Sequence, residues 1–347
     1  MILKLKIYVD AYLAKNLGDD LFVNILINRY PQHKFYAISK GEKGYGAKNL
    51  KVYNNKYLFK VLKKFQWEKY LANHYDSVVT IGGSMFMEKD DAKRDFSLGK
   101  NKRYILGINF GPYKTQEYYN NIHNMLSKVE DVCFRDKYSY SLFKDLPNVR
   151  QAADIVFSMD TSNIKSTNRK RAIISVISPK DKISEKYQEQ YEQKMLELID
   201  FLIKKDYEIC LMSFCKAEHD EEEIERIYAR IPEEQKQHIE KYFYDGNIEE
   251  ALNTMADSQL IVGGRFHANI IGLVLGKSIL PVLYSDKTLH VLQDMQLDTP
   301  IIDIRNLDEF DIASINDEVL TRTYNIDKQK EDANRHFSKL DKVLVGK

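Results

Sequence analysis

The stretch QLIVGGRFHANIIGLVLGKSILPVLYSDK, Gln259 to Lys287, carries the fold in miniature. An apolar run with β-branched residues ends in the paired glycines Gly263 and Gly264. A segment of helical length follows, in which only Asn269 is polar between Ala268 and Gly276, and then a second apolar run from Ser278 to Tyr284. Two short, near-continuously apolar strands joined by an apolar helix describe neighbouring parallel strands covered on both faces. Arg265 and His267 stand where that helix opens. Burying such groups is costly unless something pairs with them. A helix N-terminus already offers unpaired N–H groups and a partial positive charge. Arg265 adds a planar fork that matches a carboxylate or phosphate, and His267 adds a proton donor. Lys287, after the second strand, supplies a further cation. A lone histidine here would read as a hydrogen-bonded core residue; the three together read as an anion site.

Outward from this stretch the same alternation fills the chain. Strands are expected at Leu3 (LKLKIYV), Lys34 (KFYAIS), Ser77 (SVVTI), Arg103 (RYILGI) and Asp131 (DVCF), with helices between them at Asp19–Tyr30, Tyr57–Leu71 and Gln116–Lys128. The polar segment SMDTSNIKSTNRK, Ser158 to Lys170, has no apolar periodicity and reads as a linker. Alternation then restarts at Arg171 (RAIISVI), with a long amphipathic helix over Glu185–Lys205 and strands at Tyr207, Ile239, Gln259 and Ser278, ending in TPIIDI. The expected fold is α/β: two tandem Rossmann-like, doubly wound domains, residues 1–158 and 170–325, followed by a C-terminal helix over 326–347. A ligand would bind in a cleft between the two, among loops at the carboxyl ends of the strands.

Bulk properties bound the function. A net charge of +1 provides no global field for nucleic acid. Three cysteines, Cys133, Cys210 and Cys215, form no CxxC pair, and the eight histidines show no HxH or HxxxH spacing. A reducing compartment and no metal are therefore expected. With no leader-like apolar core at Met1–Asp10 and no run of about 20 apolar residues, the expected location is cytoplasmic. Tyr57–Leu71 sets Leu58, Leu62 and Phe65 on one face and Lys60, Lys63, Lys64 and Lys69 elsewhere. Such a helix either packs on its sheet or lies on the anionic inner face of a membrane. The acidic run Glu218–Glu225 reads as an exposed helix face.

Other strand ends carry weaker signals. In NLGDD, Gly18 permits a tight turn after Asn16, and Asp19 is either a helix cap or a carboxylate acting on a sugar hydroxyl. The paired Gly82 and Gly83 let a ligand approach the backbone. Arg135 directly follows a strand, placed either for a ligand or for a surface ion pair.

Taken in order, NLGDD, GGS, GINFGP, RDKYS, ADIVF and GGRFHANIIGLVLG…LPVLYSDK resemble the polysaccharide pyruvyl transferases. The resemblance spans Asn16 to Lys287. It implies a GT-B-like pair of domains, phosphoenolpyruvate as donor, no cofactor, and a cyclic ketal formed on two hydroxyls of a cell-surface sugar or its lipid-linked precursor. By the same resemblance Arg135, Arg265 and His267 match donor-binding positions, and Lys287 matches the lysine of a Y-x-x-K element. His267 is then the proton donor and Asp19 a base for the acceptor, with Asn16, Gly18, Gly82 and Gly83 on the substrate side. The chain departs from the family pattern at Gly276–Leu280, where GKSIL replaces a segment with an early proline. A GT-B nucleotide-sugar glycosyltransferase is the alternative. Enzymes of that class place a carboxylate in the corresponding C-terminal helix, and none stands between Arg265 and Gly276.

Overall fold

Among the described residues thirteen strands form two all-parallel sheets, and both are organised about a central reversal of strand order. The structure, a computed structural model, describes residues 4–39, 46–54, 73–88, 101–167 and 169–346. The first sheet contains β1 (Lys6–Asp10), β2 (Lys34–Ser39), β3 (Leu50–Asn54), β4 (Ser77–Ile81), β5 (Arg103–Ile108), β6 (Asp131–Phe134) and β7 (Val149–Gln151) in the order β3-β2-β1-β4-β5-β6-β7. The second contains β8 (Arg171–Ser175), β9 (Glu208–Ser213), β10 (Ile239–Phe243), β11 (Leu260–Gly263), β12 (Ser278–Leu283) and β13 (Ile302–Asp303) in the order β10-β9-β8-β11-β12-β13. The order turns back between β1 and β4 and between β8 and β11, the positions at which loops of a doubly wound sheet part to admit a ligand.

Central strands are buried on both faces, which explains their predominantly apolar composition. Every residue of β4, β8, β11 and β12 is buried, whereas edge strand β10 is half-covered. Helices bury one stripe each. The helix Gln188–Lys204 turns Tyr191, Met195, Leu198, Ile199 and Leu202 inward, at the spacing of one helical face. By contrast the helix Phe266–Val274 is buried from Ala268 to its end, as its composition requires. The cysteines are packing groups; burial pushes the Cys133 and Cys210 thiols up to about 12.

The chain forms two units, one of Met1–Ala14, Asp19–Ser158 and Asp327–Lys347, the other of Lys15–Gly18 and Met159–Ile326. The C-terminal segment is thus part of the first unit. It is two helices, Asp327–Asn334 and Ser338–Leu344, separated by a 3₁₀ turn at Arg335–Phe337. Asp341 accepts two hydrogen bonds from Arg29 and one from Tyr30 Oη, and Asp332 accepts one from the Ala153 N–H. Arg150 donates to the carbonyls of Arg335 and His336 while gripping Asp131 with two nitrogens. Two edge features escape the sequence reading, β3 and β7. Both leave most of their residues uncovered, with only Leu50 of β3 and Val149 of β7 buried. The helix expected at Tyr57–Leu71, with its four lysines, lies outside the described residues. Among the described residues, no helix is long and apolar enough to cross a membrane.

His336 reports on this docking. Its ring is fully buried, Nε2 lies 2.8 Å from the Ala153 carbonyl, and Nδ1 has no hydrogen-bond partner. Burial, helped by nearby Arg150, pushes the imidazole down to about 4. The unfolded chain therefore takes up a proton near pH 6.5 that the folded chain refuses until about pH 4. Stability from this group should be intact above pH 6.5 and decline as pH falls towards 4. Chemical denaturation at stepped pH checks it: His336→Asn should flatten the decline across that window, and an unchanged slope would assign it to other groups.

Candidate functional site

In the second unit the loop residues after β8, β9 and β11 converge on Arg265. Its backbone N–H donates to Ser175 Oγ (3.3 Å), and the Gly264 N–H donates to the Ser175 carbonyl (3.1 Å), tying the turn after β11 to the end of β8. Asn269, the lone polar residue inside the helix, donates to the carbonyls of Gly263 (2.9 Å) and Arg265 (3.3 Å). It closes the turn from within the core.

The guanidinium of Arg265 is turned inward and paired. Nε donates to Asp220 Oδ2 (3.0 Å), Nη2 to Asp220 Oδ1, and Nη1 to Glu218 Oε2. Asp220 is fully buried and also accepts from the N–H groups of Phe214 (3.0 Å) and Cys215 (2.9 Å). Burial alone would lower the Arg265 pKa, but Asp220 and Glu218 outweigh it and raise it, so the arginine stays charged. Glu218 also receives Lys182 Nζ. Burial works against its charge, yet Arg265 and Lys182 together hold its carboxyl down at about 2.

One expectation is corrected here. The run Glu218–Glu225 is not a solvated face: Asp220 and Glu223 are buried, and Glu223 accepts from Gln188 and Arg226. Their spacing sets both on the stripe of the helix Asp220–Arg230 that also buries Ile224 and Ile227.

His267 sits in the first turn of Phe266–Val274, half-buried, with its ring edge-on to Phe266 at 5.0 Å between centroids. Its imidazole lies against Gly18, where a β-carbon would come within 1.9 Å of Nδ1. That close approach, rather than turn geometry alone, demands glycine at position 18. Asn16 pairs with Cys215 in a short antiparallel bridge, and its Oδ1 accepts from the Gly18 N–H (3.1 Å). The sequence-expected Asn16, Gly18, Arg265 and His267 therefore belong to one unit. Lys287 lies in the helix Asp286–Asp294, and its side chain is outside the described residues.

The first unit gathers the others at the ends of β1, β4, β5 and β6. A β-carbon at Gly82 would lie 3.7 Å from Asp19 Oδ1, and one at Gly83 would meet the Arg135 guanidinium at 2.9 Å. Arg135 is buried and donates to Asp154 Oδ2 (3.0 Å) and Asn109 Oδ1 (2.9 Å). Its partner is thus Asp154 of ADIVF, while Asp136 caps the next helix. Asp154 and Asn109 carry no assigned role in the sequence reading, although both stand in motifs that it singles out. Among the described residues, no three His, Cys, Asp or Glu side chains gather in a way that holds a metal.

The profile of the polysaccharide pyruvyl transferases matches residues 16–286. The chain belongs to that family. The matched span includes every residue of both clusters; Lys287 falls one residue beyond it. The amylovoran biosynthesis protein AmsJ of Erwinia amylovora is 24% identical over 270 residues, covering 70% of this chain and 65% of AmsJ. This pyruvyl transferase family member thus spans about 65% of the length of that relative. Among solved structures, Anabaena Alr3699/HepE in complex with UDP and glucose matches 99% of the chain and 100% of its own, with a TM-score of 0.54 and 12% identity. The UDP-GlcNAc 2-epimerase of Methanocaldococcus jannaschii matches 97% and 99%, with a TM-score of 0.62 and 10% identity. These likenesses establish a GT-B-type pair of Rossmann-like domains, and at such identities they establish the fold alone.

Removing one partner of a buried ion pair leaves the other charge stranded, at a cost of about 3–5 kcal/mol. Arg265→Met should therefore lower the unfolding free energy by that order, with a lower denaturant midpoint, because among the described residues Asp220 has no other cation. An unchanged midpoint would show that the pair does not hold the loops together.

Proposed function

We propose that the protein transfers the pyruvyl group of phosphoenolpyruvate to two hydroxyls of a cell-surface polysaccharide sugar or its precursor, forming a cyclic ketal. The observation that carries this reading is the placement of His267, the proton-donor candidate, on the first turn of the helix beside Arg265 and against Gly18, inside the family-matched span. The biosynthetic role printed for AmsJ supports a polysaccharide as the acceptor class.

The reaction needs three things from the chain. A proton must reach the methylene carbon C3 of the enol, and His267 is the candidate to deliver it. C2 then becomes oxocarbenium-like, a sugar oxygen bonds to it, and that hydroxyl's proton passes to a base, for which Asp19 is the candidate. The C2–O bond to phosphate breaks, phosphate leaves with the bonding pair, and the second sugar oxygen bonds to C2 and closes the ring as its proton passes to the departing phosphate. Cationic groups offset charge on the donor and on the leaving phosphate, the part assigned to Arg265 and Arg135. Asp220 on Arg265 and Asp154 on Arg135 fix the direction in which each guanidinium is held. Three buried free thiols are in keeping with a cytoplasmic setting.

His267→Ala should reduce phosphate release from phosphoenolpyruvate by about 10²–10⁴-fold, the usual contribution of a positioned acid, while the melting temperature holds. Turnover within a few-fold of wild type would remove His267 from the chemistry. The donor itself is checked by thermal shift: phosphoenolpyruvate should raise the melting temperature and UDP- or GDP-sugars should not. The reverse result would favour the nucleotide-sugar reading that the fold also accommodates.

A further inference from the structure

The two acids on Arg265 are not equivalent. Asp220 is fully buried and fully committed, with both oxygens on Arg265 and two backbone N–H groups on Oδ2. Glu218 lies in a single 3₁₀ turn, Lys216–Glu218, and 24% of its side chain is exposed. Its Oε2 alone receives both Lys182 Nζ and Arg265 Nη1. Lys182 comes from the loop after β8, as the last residue of the short helix Pro179–Lys182, and lies 5.9 Å from the Tyr284 ring. Two cations from different loops thus close on one carboxylate at the mouth of the candidate site, while the arginine's inner edge is held by another acid.

Resting on the donor reading above, we propose that Glu218 is an internal stand-in for the donor's carboxylate. When phosphoenolpyruvate binds, its carboxylate replaces that of Glu218 on Lys182 and Arg265, which makes Lys182 a donor ligand. The exchange conserves the chemistry of the contact, carboxylate for carboxylate, and leaves Asp220 in place. It also removes the cost of keeping two cations close together before the donor arrives. Because Arg265 and Lys182 keep Glu218 ionised throughout the neutral range, a competing anion rather than a proton releases it.

The experiment is calorimetric titration of phosphoenolpyruvate into wild type, Glu218→Gln, Lys182→Met and the double variant, with KM and kcat measured alongside. Glu218→Gln removes the competing charge and should tighten binding and lower KM by about five-fold, the scale of a partly exposed ion pair. Lys182→Met should weaken binding, and in that background the gain from Glu218→Gln should shrink. A merely structural Glu218 would instead weaken binding on substitution. If wild type binds phosphoenolpyruvate but Glu218→Gln binds it equally or less well, the stand-in is overturned and the donor reading survives. If neither wild type nor Glu218→Gln binds it, both fall. Inorganic phosphate is the control probe: an equal gain for it in Glu218→Gln would show that the fork serves the phosphate end and would overturn the carboxylate assignment.

Discussion

One buried ion pair sets the geometry of the second unit. Asp220 takes Arg265 on one side and the N–H groups of Phe214 and Cys215 on the other, so a single carboxylate joins the end of β9 to the turn after β11. Since β8 lies between β9 and β11 in the sheet, the pair reaches over the central strand. Ser175, at the end of β8, completes the connection by accepting from Gly264 and Arg265. Three strand ends are thereby fixed relative to one another at the point where strand order reverses. The start of the helix Phe266–Val274, and with it His267, inherits that placement.

The first unit solves the same problem with different residues. Arg135 follows β6 as Arg265 follows β11, and each is buried with a carboxylate, Asp154 after the adjacent β7 and Asp220 after β9, one strand further away. A buried arginine without an acid would be costly, and one fully saturated by acids would have nothing to offer a ligand. Arg135 divides its contacts between Asp154 and the neutral Asn109, while Arg265 divides its between a buried and a part-exposed acid.

What the sequence discloses, and what it hides, follows from the physics of each signal. Strands such as Ser77–Ile81 and Leu260–Gly263 are legible because burial on both faces favours short runs rich in apolar and β-branched residues. Edge strand β3 is not, since solvent tolerates the polar residues of Leu50–Asn54. Arg265, His267 and Gly18 stand out as residue types at odds with their surroundings. Their partners do not. Asp220 and Glu218 are hidden in an acidic run whose bulk charge suggests water, although Asp220, Glu223, Ile224 and Ile227 share one helical stripe. Asp154 and Asn109 are equally quiet, because nothing local separates a carboxylate that pairs across a sheet from one that caps a turn.

The attachment of residues 327–346 to the first unit bears on how the protein is made. Chain leaving the ribosome presents the seven strands of the first sheet early, but Asp332, Asp341 and His336 arrive only after the whole second unit has been synthesised. Until then the contacts offered by Arg29, Tyr30, Arg150 and the Ala153 backbone have no counterpart in the C-terminal segment. The first unit thus begins to form early and is completed only once the second has been made.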